Sequence, residues 1–184
     1  MPPKPKFSKA QIIEAAFEIA KVEGLESISI RKVADKIGSS IAPLYVNFKH
    51  VEDLKRAVVK RIAAISKEMV QAENTGHSFY DIGLASLRFA NEYSEIYKDF
   101  VLKPTSYMDE FDQEIGLDLI EMMKEDADLD GLNEELLKDL FLKMRVFQVG
   151  LGVMIANRLL EFDEKIIITM LEDTATALIA SAKQ

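Results

Sequence analysis

An all-α fold with two functional parts is predicted by three features of the sequence. Apolar residues recur at helical spacing along most of the chain, strand-like alternation is nearly absent, and glycine or polar turns separate the periodic segments. The 184 residues suffice for a small module beside a larger one. We therefore expect about nine helices, arranged as a three-helix head over residues 1–56 and a helical body over residues 57–184.

Charge is distributed unevenly between these two parts. The whole chain carries a net charge of -8, yet residues 1–60 hold 11 Lys and Arg against 7 Asp and Glu. Screening limits the reach of exposed charge to roughly 8–10 Å at physiological salt. The basic head can therefore neutralise phosphates locally although the remainder of the chain is acidic.

Composition also excludes several kinds of chemistry. The chain has no cysteine, which removes disulfides, thiolate metal sites and cysteine nucleophiles. Its start lacks the apolar centre of a secretory signal, and the apolar run 149–156 is too short to span a bilayer. We expect a cytoplasmic protein with no membrane partner. Lys4 and Lys6 are interpreted as part of a solubilising tail rather than as a groove-binding arm.

The first helix is predicted to begin after Ser8 and to end at Gly24. Ser8 and Gln11 have the spacing of a capping box, and apolar residues then follow at i, i+3, i+4 and i+7 from Ile13. Glycine is the preferred residue just after a helix.

Two short helices are expected next. Ser29 can cap a second helix whose apolar face begins at Ile30 and which stops at Gly38. Ser40 is expected to cap a third helix, with Pro43 tolerated in its first turn.

Together residues 29–48 have the geometry of a helix-turn-helix. Ala34 is small where two crossing helices must approach closely, and Gly38 can take the positive φ that the turn requires. Leu44 and Phe48 are expected to face the core and to pack the third helix against it. Its first residues would then face base edges in a major groove.

The rest of the chain is predicted to be a helical bundle. A long connecting helix runs from Val51 to the polar turn at 73–77. Further helices are expected at about 79–93, 94–102, 109–125, 133–160 and 164–182. The last two have the broadest apolar faces and therefore need packing partners.

Several spaced motifs in residues 17–54 are shared with one known family. They are Ala20 and Gly24 in the first helix, the segment 29–34 that starts the second, the segment 44–48, and the segment 52–54. In these the chain resembles the amino-terminal domain of tetracycline-repressor (TetR) type bacterial transcriptional regulators. The resemblance implies a ligand-responsive repressor that binds a palindromic double-stranded operator as a homodimer and catalyses no reaction.

The same resemblance implies DNA contacts at matching positions. Ser29, Tyr45 and Lys49 would contact phosphates, Arg31 and Lys32 would lie near the backbone, and residues 39–43 would read bases. The expected set is Ser29, Arg31, Lys32, Ser39, Ser40, Ile41, Ala42, Pro43, Tyr45, Asn47 and Lys49.

Three positions depart from the family pattern. The family often has histidine at the position of Asn47, threonine at that of Pro43 and lysine at that of Val51. The apolar side chains on the third helix suit thymine methyl groups better than guanine. An A·T-rich operator, or one recognised by its shape, is therefore expected.

Beyond residue 56 the resemblance is only architectural, and it leaves the effector unidentified. Individually, the aromatic and methionine residues of the body are more simply explained as core. As a group, they suit an apolar effector pocket between helices. The candidates are Phe89, Tyr93, Tyr107, Phe111, Met122, Met144, Phe147 and Gln148.

The last two helices are expected to pair with their symmetry mates, because their apolar faces are broad. Gly150 and Gly152 would permit close approach within helix 8. The candidate interface residues are Gly150, Leu151, Met154, Ile167, Met170, Leu171 and Leu178.

No cofactor or metal site is predicted. Residues 126–131 imitate the first half of a calcium loop, but Leu137 stands where the bidentate glutamate is needed, so a solvated turn is expected. His50 and His77 fall in predicted turns without the Glu-x-x-His spacing of a di-iron bundle. Two alternatives remain open: an all-α enzyme with an acidic active site, and a helical adaptor that binds protein but not DNA.

Overall fold

The computed structural model describes residues 7–73, 75–103 and 107–183, so Lys4 and Lys6 lie outside the described residues. Within those ranges it contains helices and no strand, which confirms the all-α prediction. The helices are α1 (Lys9–Glu23), α2 (Ile30–Lys36), α3 (Ala42–Asn47), α4 (Val51–Glu73), α5 (Ser78–Glu92), α6 (Ser94–Leu102), α7 (Tyr107–Lys124), α8 (Glu134–Ala156) and α9 (Glu164–Ala182).

The head is built by local capping that the sequence predicted. The Ser8 hydroxyl accepts a hydrogen bond from the Gln11 amide, and the Gln11 side chain accepts one from the Ser8 amide. Ser29 caps α2 by accepting a hydrogen bond from the Lys32 amide. Between α2 and α3, Gly38 adopts a φ of 66°, a left-handed conformation that glycine tolerates best.

The predicted cap of α3 was wrong. Ile41, not Ser40, is the N-cap residue, and its side chain makes no capping hydrogen bond. The helix begins at Ala42, so Pro43 lies within its first turn. A missing N–H is tolerated there, because the first N–H groups of a helix have no partner within the helix.

The end of α8 also differs from the prediction, because the helix stops at Ala156 instead of near residue 160. Arg158 has a φ of 59°, and the Leu159 amide donates back to the Met154 carbonyl. This left-handed turn satisfies carbonyls at the helix end and directs the chain towards α9.

Two apolar clusters form the core, and α4 contributes to both. Leu54 and Ile62 of α4 join a cluster that includes α1, α2, α3 and α6. Ala63 and Val70 of the same helix join a second cluster with α5, α7, α8 and α9. Because one helix serves both clusters, the division at residue 56 stays a prediction. None of the described helices has an apolar stretch of the length that a membrane crossing requires.

Candidate nucleic-acid interface and effector cavity

The outer edge of α3 is exposed and largely apolar. Tyr45 is 51% exposed and Val46 is 79% exposed, whereas Leu44 and Phe48 on the opposite side are buried. Ile41, before the helix, is 49% exposed. The inward pair fixes α3 against the head, as predicted, and leaves its outer edge available to a partner.

Several polar and cationic side chains predicted to contact DNA are also exposed. Arg31, Ser40 and Lys49 are exposed, whereas Ser39 and Pro43 are partly buried. A shallow groove joins Tyr45 and Lys49 to His50 and Arg56 near the start of α4. Neither His50 nor Arg56 could be assigned to this groove from the sequence.

Three of the expected DNA contacts already have partners within the chain. The Lys32 ammonium lies 2.6 Å from a Glu23 carboxylate oxygen. The Ser29 hydroxyl caps α2, and the Asn47 amide nitrogen donates to the Pro43 carbonyl at 3.1 Å. Ser29 and Asn47 therefore stabilise the local structure of the head, and the Lys32 ammonium is paired with Glu23.

Lys55 is a cation of the head that faces away from this edge. Its side chain is buried, and its Nζ lies 2.7 Å from Glu26 and 3.3 Å from Glu52. Burial lowers the pKa of Lys55, but the hydrogen bonds to Glu26 and Tyr107 raise that pKa more, so it lies above its ordinary value. The hydrogen bond from Lys55 lowers the pKa of Glu26.

A cavity of about 150 Å³ lies in the body and is lined by residues of α4 to α8. Of the predicted pocket residues, Phe89, Phe111 and Gln148 line it. Sequence reasoning missed Ser66 and Tyr97, which also line it. Burial raises the pKa of the Tyr97 hydroxyl to about 12, which keeps it protonated at neutral pH.

The other predicted pocket residues lie elsewhere. The Tyr93 ring packs against those of Phe17 and Phe89, and Tyr107 lies beside Lys55. Three further residues belong to the body core or pack against it: Met122, Met144 and Phe147. Apolar spacing identified the inward faces of these helices but not the part of each face that borders the cavity.

Several interface candidates were placed on the wrong face of their helices. Leu151, Ile167 and Leu171 are buried in the protomer's own core, so they have no surface to offer to a second chain. Leu178 packs against the same core. Gly152 is buried because the Tyr97 hydroxyl lies where its Cβ would be.

The exposed apolar residues of α8 form a different stripe. Leu142 and Val146 are 59% and 68% exposed, and Gly150 and Met154 continue the stripe towards the end of the helix. Met170, on α9, is also exposed. Gly150, Met154 and Met170 are thus the predicted interface residues that remain accessible.

Asp126 and Asp128, between α7 and α8, lie beside His77 at the start of α5. The ligand atoms of the three residues lie within 4.8 Å of one another. Asp126 was expected in a solvated turn but is buried. Its carboxylate accepts hydrogen bonds from the Phe79 and Asp128 amides, each at 3.0 Å. His77 Nδ1 lies 2.8 Å from Asp128. These bonds explain the cluster as a connection between the loop and α5.

This arrangement, a helix-turn-helix head joined to a helical body, has the fold of solved TetR-family transcriptional regulators. A TetR-family protein of Vibrio parahaemolyticus superposes with a TM-score of 0.64 and 20% identity, covering 92% of this chain and 97% of that one. The fatty acid degradation regulator FadR of Bacillus halodurans gives a TM-score of 0.67 at 14% identity, covering 97% of each chain.

Sequence comparisons agree with this class. An HTH-type transcriptional regulator of Staphylococcus aureus is 26% identical over 132 residues, which are 67% of this chain and 71% of that protein. An HTH-type transcriptional repressor of Streptomyces coeruleorubidus is 44% identical over 43 residues, 23% of this chain and 16% of that protein. No protein-family model matches. The relatives are described as regulators and not as enzymes, in agreement with the prediction of a non-catalytic protein.

Proposed function

We propose that this chain is a repressor that binds a palindromic DNA operator as a homodimer and is released by a small, largely apolar effector. The observation that carries the proposal is the exposed outer edge of α3, where Tyr45 and Val46 are accessible and Tyr45 shares a groove with Lys49. Such an edge on the second helix of a helix-turn-helix suits the major groove.

DNA recognition combines two kinds of contact, to the phosphates and to the bases. Phosphate contacts fix the position of a protein on the duplex, and base contacts in the groove supply specificity. We assign Lys49, Arg31 and the Tyr45 hydroxyl to the former and residues 39–43 to the latter. The whole expected set from Ser29 to Lys49 stays a proposal. Val46, the most exposed of the apolar residues on α3, adds a further contact for a thymine methyl group.

Dimerisation is supported by the exposed stripe on α8. Leu142, Val146, Gly150 and Met154 lie along one side of this helix and have no partner among the described residues that buries them. An apolar stripe that meets its own symmetry copy forms an isologous interface. Two heads joined in this way would reach half-sites about 34–36 Å apart, one turn of DNA.

The position of the cavity supports release by an effector. Tyr97 and Phe100 of α6 line it, and α6 also contacts the head. A ligand that favours a different position of α6 would change the separation of the heads. By linkage, DNA then weakens ligand binding as much as the ligand weakens DNA binding. For near-complete release, the effector must bind the released conformation more favourably than the DNA-binding conformation by about 5.5 kcal/mol.

Selection of random duplex DNA by the full chain, at two salt concentrations, tests the proposal. We expect a palindromic sequence to be enriched, less strongly at the higher salt concentration. Tyr45→Ala and Lys49→Ala should lose the enrichment. Tyr80→Ala and Lys143→Ala, which change the same residue types in the body, should keep it. Absence of enrichment at either salt concentration contradicts the proposal and leaves the helical adaptor.

A further inference from the structure

The cavity is lined by three uncharged polar side chains, those of Ser66, Ser86 and Gln148. The Ser66 hydroxyl, on α4, is buried and makes no hydrogen bond. Gln148, on α8, is 6% exposed, and only its backbone carbonyl takes part in a side-chain hydrogen bond among the described residues. A buried polar group without a hydrogen bond costs free energy. The Ser66 hydroxyl is such a group, and Gln148 adds a second polar side chain to the lining, so a ligand that hydrogen-bonds to them would remove this cost.

The charged groups of the wall are already neutralised. Arg145 Nη2 lies 2.7 Å from Asp112, which also lines the cavity. Lys67 Nζ lies 2.6 Å from Asp118. An anionic ligand would have to compete with Asp112 for the guanidinium. The Ser66 hydroxyl and the Gln148 carboxamide, by contrast, are uncharged. Each can donate and accept a hydrogen bond, so both suit a ligand with a neutral hydroxyl group.

The size and lining of the cavity restrict the rest of the ligand. An apolar cavity of about 150 Å³ holds a molecule as large as benzene. Five aromatic rings line it, those of Phe89, Tyr97, Phe100, Phe111 and Phe141. The ring centroids of Phe100 and Phe111 lie 5.0 Å apart. Tilted and edge-to-face arrangements of aromatic rings are favourable at such distances.

We infer that the effector is a neutral phenol with a single aromatic ring, whose hydroxyl group hydrogen-bonds to Ser66, Gln148 or both. The inference names the ligand class of the cavity and rests on the proposed function only where it calls that ligand an effector. The aromatic side chains of the wall pack against the ring. Hydrogen bonds to Ser66 or Gln148 favour a phenol over a hydrocarbon of the same size.

Calorimetric titration of the full chain without DNA tests the inference with three probes of similar size: phenol, toluene and benzoate. We expect phenol to bind at least tenfold more tightly than either of the others. Gln148→Leu, Ser66→Ala or both should weaken phenol binding by about tenfold while leaving toluene binding in place, because one hydrogen bond to a buried group is removed. Ser181→Ala, on the exposed face of α9, is the matched control and should bind phenol unchanged.

Equal binding of toluene and phenol, or unchanged phenol binding in both variants, would overturn the inference. Preferential binding of benzoate would overturn it in favour of Arg145 as the recognition group. Failure of all three probes to bind the folded protein would also overturn it. Phenol binding that leaves the protein–DNA complex intact would support the ligand class and contradict the proposed release.

Discussion

Asp99 of α6 accepts a hydrogen bond from the backbone amide of Leu25, with 2.5 Å between the two atoms, in a buried position. Leu25 follows Gly24, which ends α1 with a φ of 85°. The Asp99 carboxylate occupies the place where a Cβ on Gly24 would lie, so the absence of a side chain there permits the contact. The end of α1 is thus joined to the helix that carries Tyr97 and Phe100 into the cavity.

Replacement of this carboxylate should destabilise the protein. Asp99→Ala leaves the Leu25 amide buried without a partner, which should lower the free energy of unfolding by about 1–3 kcal/mol. Urea unfolding followed by circular dichroism measures this change. Lys103→Ala, which removes the half-exposed ion-pair partner of Asp99, should cost at most about 1 kcal/mol. An equal loss in the two variants would show that the ion pair, not the amide contact, matters.

The ion pair between Lys55 and Glu26 should make stability depend on pH. Because the folded state lowers the pKa of Glu26 below its ordinary value of 4.5, the pair stabilises the protein above that pH. The contribution is lost as the pH falls through the lower, folded-state pKa. Glu26→Gln should therefore lower the free energy of unfolding at pH 7 by roughly 1 kcal/mol, a figure reduced for the exposure of Glu26.

Urea unfolding of wild type and Glu26→Gln at pH 7 and pH 3.5 checks this expectation. The difference between the two proteins should be smaller at the lower pH, which lies below the ordinary pKa of a glutamate carboxyl group. A difference that stays constant between the two pH values would contradict the assignment.

Packing of α8 on α6 should not tolerate a methyl group at Gly152. Its Cβ would collide with the Tyr97 hydroxyl, so Gly152→Ala should cost about 1–3 kcal/mol of stability by overpacking. Gly116→Ala in α7 is the matched control, since its Cβ would meet no atom within 4 Å. The control should be neutral, or stabilising by up to about 1 kcal/mol through helix propensity. Thermal melts distinguish the two, and equal behaviour would refute the close contact.

A charge in the α8 stripe should separate the proposed dimer. Val146→Glu places a carboxylate opposite its own symmetry copy in an apolar interface, where burial of an unpaired charge is costly. Sedimentation should then detect monomers at concentrations where the wild type is dimeric. Val22→Glu, a matched change at a site on α1 that is 70% exposed, should leave the dimer intact. A dimeric Val146→Glu protein would place the interface elsewhere.

Local features of this chain could be predicted well from sequence, because caps and glycine turns act within a few residues. Ser8, Ser29 and Gly38 have the expected roles, and α6 and α9 have the predicted bounds. Side-chain surroundings could not be predicted, because they depend on the rotation of each helix against its neighbours. Leu151 and Met154 lie three residues apart on α8, yet one is buried and the other is 43% exposed.

The cavity shows the same dependence on tertiary structure. Met144 and Gln148 are one helical turn apart, but only Gln148 lines the cavity. Ser66 is an ordinary polar residue in the sequence. Only the packing of α4 against the body reveals that its hydroxyl is buried without a partner.

The most direct test of the central claim is an anisotropy titration of the selected palindromic duplex and of a scrambled duplex of the same composition with the full chain. We expect the palindrome to bind at least about a thousandfold more tightly, with an affinity that falls as salt is raised. Equal affinity for the two duplexes, or no binding to either, would contradict the claim that α3 reads an operator.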